Sequence, residues 1–93
     1  MIFARIIGTV VCSQKDPHLN GKKLLLCREV DHRGQPMKVY HVAVDAVGAG
    51  EGSFVLLAYG SSARMTETTK SAPIDAVIMA IIDDVQITHP AAS

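Results

Sequence analysis

The sequence predicts an all-β fold, a small five-stranded, OB-like barrel with one short helix. Three observations point there. The apolar runs are short and rich in Val and Ile, residues 37–47 alternate with a period of two, and Gly/Pro/Asn turn signals separate one run from the next. With 93 residues the chain makes a single domain, and neither an internal repeat nor a linker interrupts it.

Taken in order, residues 2–12 (IFARIIGTVVC) form the first strand, with Gly8 marking a bulge or bend. Residues 14–22 (QKDPHLNGK) carry Asp-Pro and Asn-Gly and read as a loop. Residues 23–31 (KLLLCREVD) are the second strand and residues 32–36 (HRGQP) a turn. In residues 37–47 (MKVYHVAVDAV), Val39, His41, Ala43 and Asp45 share one face, and Tyr40, Val42, Val44 and Ala46 share the other. That pattern is a half-buried strand. A glycine-rich connection leads to a fourth strand over residues 53–60 (SFVLLAYG).

Residues 61–70 (SSARMTETTK) are the short helix: serines are placed to cap it, and Glu67 and Lys70 stand at i,i+3. Ser71-Ala72-Pro73 ends it. Residues 74–87 (IDAVIMAIIDDVQI) are long enough for a helix, but their Val and Ile content and the lack of 3.6 spacing favour a strand. A strand with one solvated face alternates apolar and polar; this one does not, so both faces should be covered. The bulkier Val77, Met79 and Ile81 are assigned to the barrel core. Ala76, Ile78, Ala80 and Ile82 are assigned to the outer face, where the alanines suit close approach of another chain. The barrel domain is expected over residues 1–87, with a short loose tail over residues 88–93.

Composition narrows the function. Hydrophobic residues make up 48% of a chain that, at this length, buries only about 60–65% of its unfolded surface, so part of the apolar set should face a partner. Nine Lys+Arg balance nine Asp+Glu, and the aromatics are limited to Phe3, Phe54, Tyr40 and Tyr59. Nucleic-acid binders draw on a basic excess and stacking platforms, so an OB-like module for single strands, or for another protein, ranks as the alternative reading. Cys12 and Cys27 are too few for a disulfide framework and read as buried, reduced thiols of a cytosolic protein. The N-terminal run is broken by Arg5 and Gly8, unlike a signal peptide, and no apolar stretch reaches the length of a membrane span.

The stretch VGAGEGS (residues 47–53) raises the question of a phosphate loop. A dinucleotide fingerprint needs a third glycine where Ser53 stands, and a helix where a strand follows. No Gly-Lys-Ser/Thr closes it either, so the loop reads as a tight strand-to-strand connection. His18, His32, His41 and His89 lack zinc-ligand spacing, and the cysteines form no C-x-x-C. Asp83 and Asp84 are strand neighbours pointing to opposite faces, and Gly60-Ser61-Ser62 is not a nucleophile elbow. No catalytic residue, cofactor or metal is expected.

Other stretches carry a resemblance. They are Gly8-Thr9-Val10-Val11 with Gln14-Lys15, Gly21 with the leucine run, VDAVGAGEG (44–52), VLLAYGSSAR (55–64) and PIDAVIMAIIDDV (73–85). In this combination the sequence resembles the CcmL/EutN family, the pentameric vertex proteins of bacterial microcompartment shells. The resemblance implies a five-stranded barrel whose homopentamer caps the vertices of a polyhedral shell in the cytoplasm. Flat hexagonal tiling cannot close, so the function would be geometric rather than enzymatic. The implied partners are hexameric and trimeric shell proteins and encapsulated enzymes. By resemblance, Gly60, Ser61 and Ser62 lie near the fivefold axis. Gly48, Ala49, Gly50 and Arg64, with Ala76 and Ala80, are expected at the subunit interface.

Overall fold

The computed structural model describes residues 1–60, 63, 66 and 75–89. The alternating and β-branched runs become β1 (Ile2–Thr9), β2 (Leu24–Val30), β3 (Pro36–Asp45), β4 (Phe54–Tyr59) and β5 (Ala76–Ile81). They close into a barrel in the order β1-β2-β3-β5-β4. Four of the pairings are antiparallel; β3 and β5 alone run parallel, meeting at Val44–Val77 and Asp45–Ile78. The helix expected over residues 61–70 lies outside the described residues apart from Ala63 and Thr66, and no α-helix occurs among the described residues. A 3-10 turn, Pro17–Leu19, sits in the stretch read as loop.

The interior is one apolar cluster to which every strand contributes: Ala4 and Ile6, Leu25 and Cys27, Ala43, Val55 and Leu57, Ala76 and Ile78. Small and large side chains alternate around it, as a narrow barrel requires. A second cluster lies on the outside, where Val44, Ala58, Val77 and Ala63 pack together with Leu19, Leu24, Ala46 and Met79 against them.

Local chemistry explains the turns. Between β2 and β3, the Asp31 carboxylate accepts from the backbone N–H of Arg33 (2.8 Å) and Gln35 (2.9 Å). The bond from Gln35, with that from Arg33 and the charges of His32 and Arg33, holds this carboxyl below its usual range. Pro36 then opens β3, a position where its missing N–H costs nothing inside the ladder. The bulge expected at Gly8 is present: the β1–β2 register shifts between Ile6 and Gly8, turning Ile7 out to solvent.

Three expectations need correction. β1 ends at Thr9, so Cys12 lies in the connection beyond it and is exposed, while Cys27 is buried as expected; both are free thiols. β3 is half-buried only near its C-terminal end. Met37, Val39, Tyr40 and Val42 are all exposed, on both of its faces.

The third correction is the facing of β5. Directly paired residues share a face. Leu57 pairs with Ile78 and Tyr59 with Ala76, but Leu56 pairs with Ala80 and Val55 with Ile81. The register therefore slips by one residue at Met79. Ala76 and Ile78 point into the barrel, and Val77 and Met79 pack in the outer cluster. Ala80 lies beside outward-facing Leu56, as expected for it, while Ile81 returns to the inner side at the rim, 45% exposed. A strand apolar on both faces gives no sequence sign of such a slip.

Ile78→Ala should therefore lower stability in urea by about 2–5 kcal/mol, the cost of a cavity in a tight core. Met79→Ala should cost less than half as much, because its side chain is only partly buried. The reverse ranking would restore the original facing.

Candidate functional site

The glycine connection is built around Asp45, the last residue of β3. Its Oδ1 accepts from the N–H of Val47 (3.0 Å) and of Ala49 (3.2 Å). Ser53 Oγ accepts from the N–H of Gly50 (3.2 Å), and Gly52 donates to the carbonyl of Ile6 (2.8 Å). Gly48 and Gly52 hold φ of +74° and +84°, the left-handed turns that only glycine adopts cheaply. A phosphate loop keeps its amides free for a ligand; here those of Val47, Ala49, Gly50, Gly52 and Ser53 are taken by the chain itself. Ala49 is 2% exposed and packs into the barrel core. The loop thus plugs one end of the barrel. Of the three loop residues among the six expected at an interface, Gly48 and Gly50 are exposed, whereas Ala49 is buried.

Elsewhere the inward register carries polar groups. Glu29 pairs with Ala4, His41 with Cys27 and Tyr59 with Ala76, so all three side chains continue the inner face. His41 Nε2 lies 3.1 Å from Glu29 Oε1, and the Tyr59 hydroxyl hydrogen-bonds His41 Nδ1. A neutral ring satisfies both contacts, Nε2–H donating to the carboxylate and Nδ1 accepting from the phenol. The two rings also meet edge to face at 5.5 Å. This latch joins β2, β3 and β4. The surroundings suppress reactivity: burial, then the charges of Asp75 and Glu29 and the Cys27 thiol, push the Tyr59 phenol up. Burial, then Asp45, pushes the Cys27 thiol up to about 11. Neither becomes a nucleophile at neutral pH. The latch went unread in the sequence, although His41 stood in register with buried Ala43.

The outer surface carries the remaining feature. Among the described residues, β3 from Pro36 to Ala43 pairs only with β2, leaving its other flank open. Tyr40 (55% exposed) and Val42 (49%) stand on the outer face of this strand. Gly60 follows β4 with φ +65°, donates its N–H to the Asp75 carbonyl (3.1 Å) and is exposed. Ser61, Ser62 and Arg64 lie outside the described residues. Ala76 is 5% exposed within the barrel, and Ala80 is partly buried on the outer side.

This barrel, with a self-capped glycine plug and an open apolar strand, defines a class. The family described as ethanolamine utilisation protein EutN/carboxysome matches residues 1–83, and the chain belongs to it. It is 46% identical over 89 residues to the carboxysome shell vertex protein CcmL of Gloeobacter violaceus, covering 96% of this chain and 89% of that protein. It is 47% identical over 87 residues to the bacterial microcompartment shell vertex protein PduN of Salmonella typhimurium, covering 89% and 96%. Its structure matches the GrpN pentameric microcompartment shell protein from Rhodospirillum rubrum with a TM-score of 0.83 at 39% identity, covering 94% of this chain and all (100%) of that one.

The raised Cys27 thiol makes a pH prediction. Its folded value, about 11, lies above the unfolded value near 9.0, so the protonated thiol contributes stability that is fully present below pH 9 and is lost as pH rises through about 11. Urea titrations of wild type and Cys27→Ala from pH 8 to about pH 11 should show a decline in wild type that is shallower in the variant. Parallel declines would contradict the assignment.

Proposed function

We propose that the chain is a structural vertex protein: five copies close a ring that caps the vertices of a bacterial microcompartment shell. The observation that carries this reading is similarity to shell vertex proteins along nearly the whole chain, with a pentameric shell protein among the structural matches. The role is architectural, not enzymatic. It accords with a glycine loop whose Val47, Ala49, Gly50 and Gly52 amides are bonded within the chain and with a Tyr59 phenol pushed up by burial. The site of action is the shell within the cytoplasm, with hexameric and trimeric shell proteins as neighbours and encapsulated enzymes beneath.

The ring needs a surface that a lone barrel leaves uncovered. A heterologous contact closes into a ring when the patch on one copy complements a different patch on the next. The open flank of β3, with Tyr40 and Val42, is the apolar surface available for one side of that contact. Gly48 and Gly50, Ala80, and Arg64 remain the proposed further contacts. Gly60, with Ser61 and Ser62, remains the proposed lining of the axis.

Native mass spectrometry should find a five-subunit species. Val42→Glu should retain the barrel's circular dichroism but lose the five-subunit mass, because it places an unpaired charge in an apolar contact. A stable wild-type monomer at micromolar concentration would favour the OB-like binding module instead.

A further inference from the structure

We infer that the connection between β1 and β2 is a docking ledge for an acidic peptide segment of another protein, anchored by an apolar side chain. Residues 10–23 make this connection, long for a compact barrel, and connections of this length are usually functional. It is a built feature. Val10 N–H donates to the Leu24 carbonyl (2.9 Å), Lys22 N–H donates to Leu19 (3.0 Å), and the Asp16 carboxylate caps the Pro17–Leu19 turn through the N–H of His18 (2.8 Å). Leu19 pins the turn to the outer apolar cluster.

Beside this ledge opens a cleft of about 410 Å³, lined by Val10, Val11, Lys15, Lys22, Lys23 and Leu24. Three lysines thus converge on one cleft, and among the described residues none of them forms an ion pair. The carboxylate of the same connection, Asp16, is turned onto the His18 ring at 2.7 Å. Val11 stands 89% exposed at the cleft. The charge selects an anionic occupant. The exposed valine, with Leu24, adds an apolar foothold that a free small anion would leave unused. No aromatic lines the cleft to stack a base, and the chain carries no net positive charge, so a peptide fits better than a nucleic acid. The cleft is lined by residues between Thr9 and Leu24, and Tyr40 and Val42 of the β3 flank are not among them.

The test is fluorescence anisotropy with the full chain and a labelled Glu-Leu-Glu-Glu-Leu-Glu peptide. Saturable binding that weakens with added salt is expected. The combined variant Lys15→Gln/Lys22→Gln/Lys23→Gln should weaken it by about tenfold or more, and Val11→Ser by roughly fivefold. Arg33→Gln, at the β2–β3 turn, should leave it unchanged. Native mass spectrometry of the triple variant should still show the wild-type mass, which separates loss of this site from loss of assembly. Undiminished peptide binding by the triple variant would overturn the inference. So would an all-glutamate peptide or citrate binding as tightly as the probe, which would make the cleft a plain anion site. Tighter binding of an oligothymidylate would make it a nucleic-acid site.

Discussion

The barrel is closed by a very short seam. β3 and β5 meet in parallel at Val44–Val77 and Asp45–Ile78, and the rest of the architecture depends on that contact. Asp45 serves it in several ways. Its backbone sits in the seam, its N–H reaches back to Lys23 (3.0 Å), and its carboxylate folds the glycine connection over the barrel end. Its charge also adds to the burial that pushes the Cys27 thiol up. Four structural tasks thus converge on the last residue of one strand, where the chain turns from the wall of the barrel to its plug.

The brevity of the seam has a consequence on the surface. Because β5 engages only the end of β3, the remainder of that strand keeps an open flank among the described residues and shows apolar side chains on both faces. An exposed flat strand of this kind invites pairing or packing with another chain. In a monomer it would be a liability; in the proposed ring it would supply the contact. The barrel mouth beside it is fixed by Glu29, His41 and Tyr59. That latch ties β3 to the strand leading into Gly60, so the proposed interface and the proposed axis belong to one rigid body.

Much of this was legible in the sequence because a barrel has a simple period. The alternation in β3, the bulge at Gly8 and the glycine turns between strands each follow from local chemistry. Other features depend on distant partners. The slip at Met79 was hidden because every residue from Ala76 to Ile81 is apolar, so period two carries no facing information there. The exposure of Val39 and Val42 was hidden because the pattern of a strand buried by its own barrel is the same as that of one buried by a neighbour. Cys12 was misjudged as buried because Val10 and Val11 extend the apolar run past the point where pairing with β2 ends at Thr9 and Leu25. For the candidate site, the glycine loop was legible as a strand-to-strand connection, because a strand and not a helix follows it. The role of Ala49 as a core plug required knowing that Asp45 folds the loop inward.

The central claim is that the open flank of β3 is covered by another copy of the chain. Amide hydrogen exchange reports this directly, since an unpaired strand flank exchanges rapidly and a covered one does not. The wild-type assembly should show slow exchange across residues 37–43, and the same amides should exchange much faster in Val42→Glu while the β1 and β4 amides stay protected. Equally fast exchange of residues 37–43 in both proteins would contradict the account.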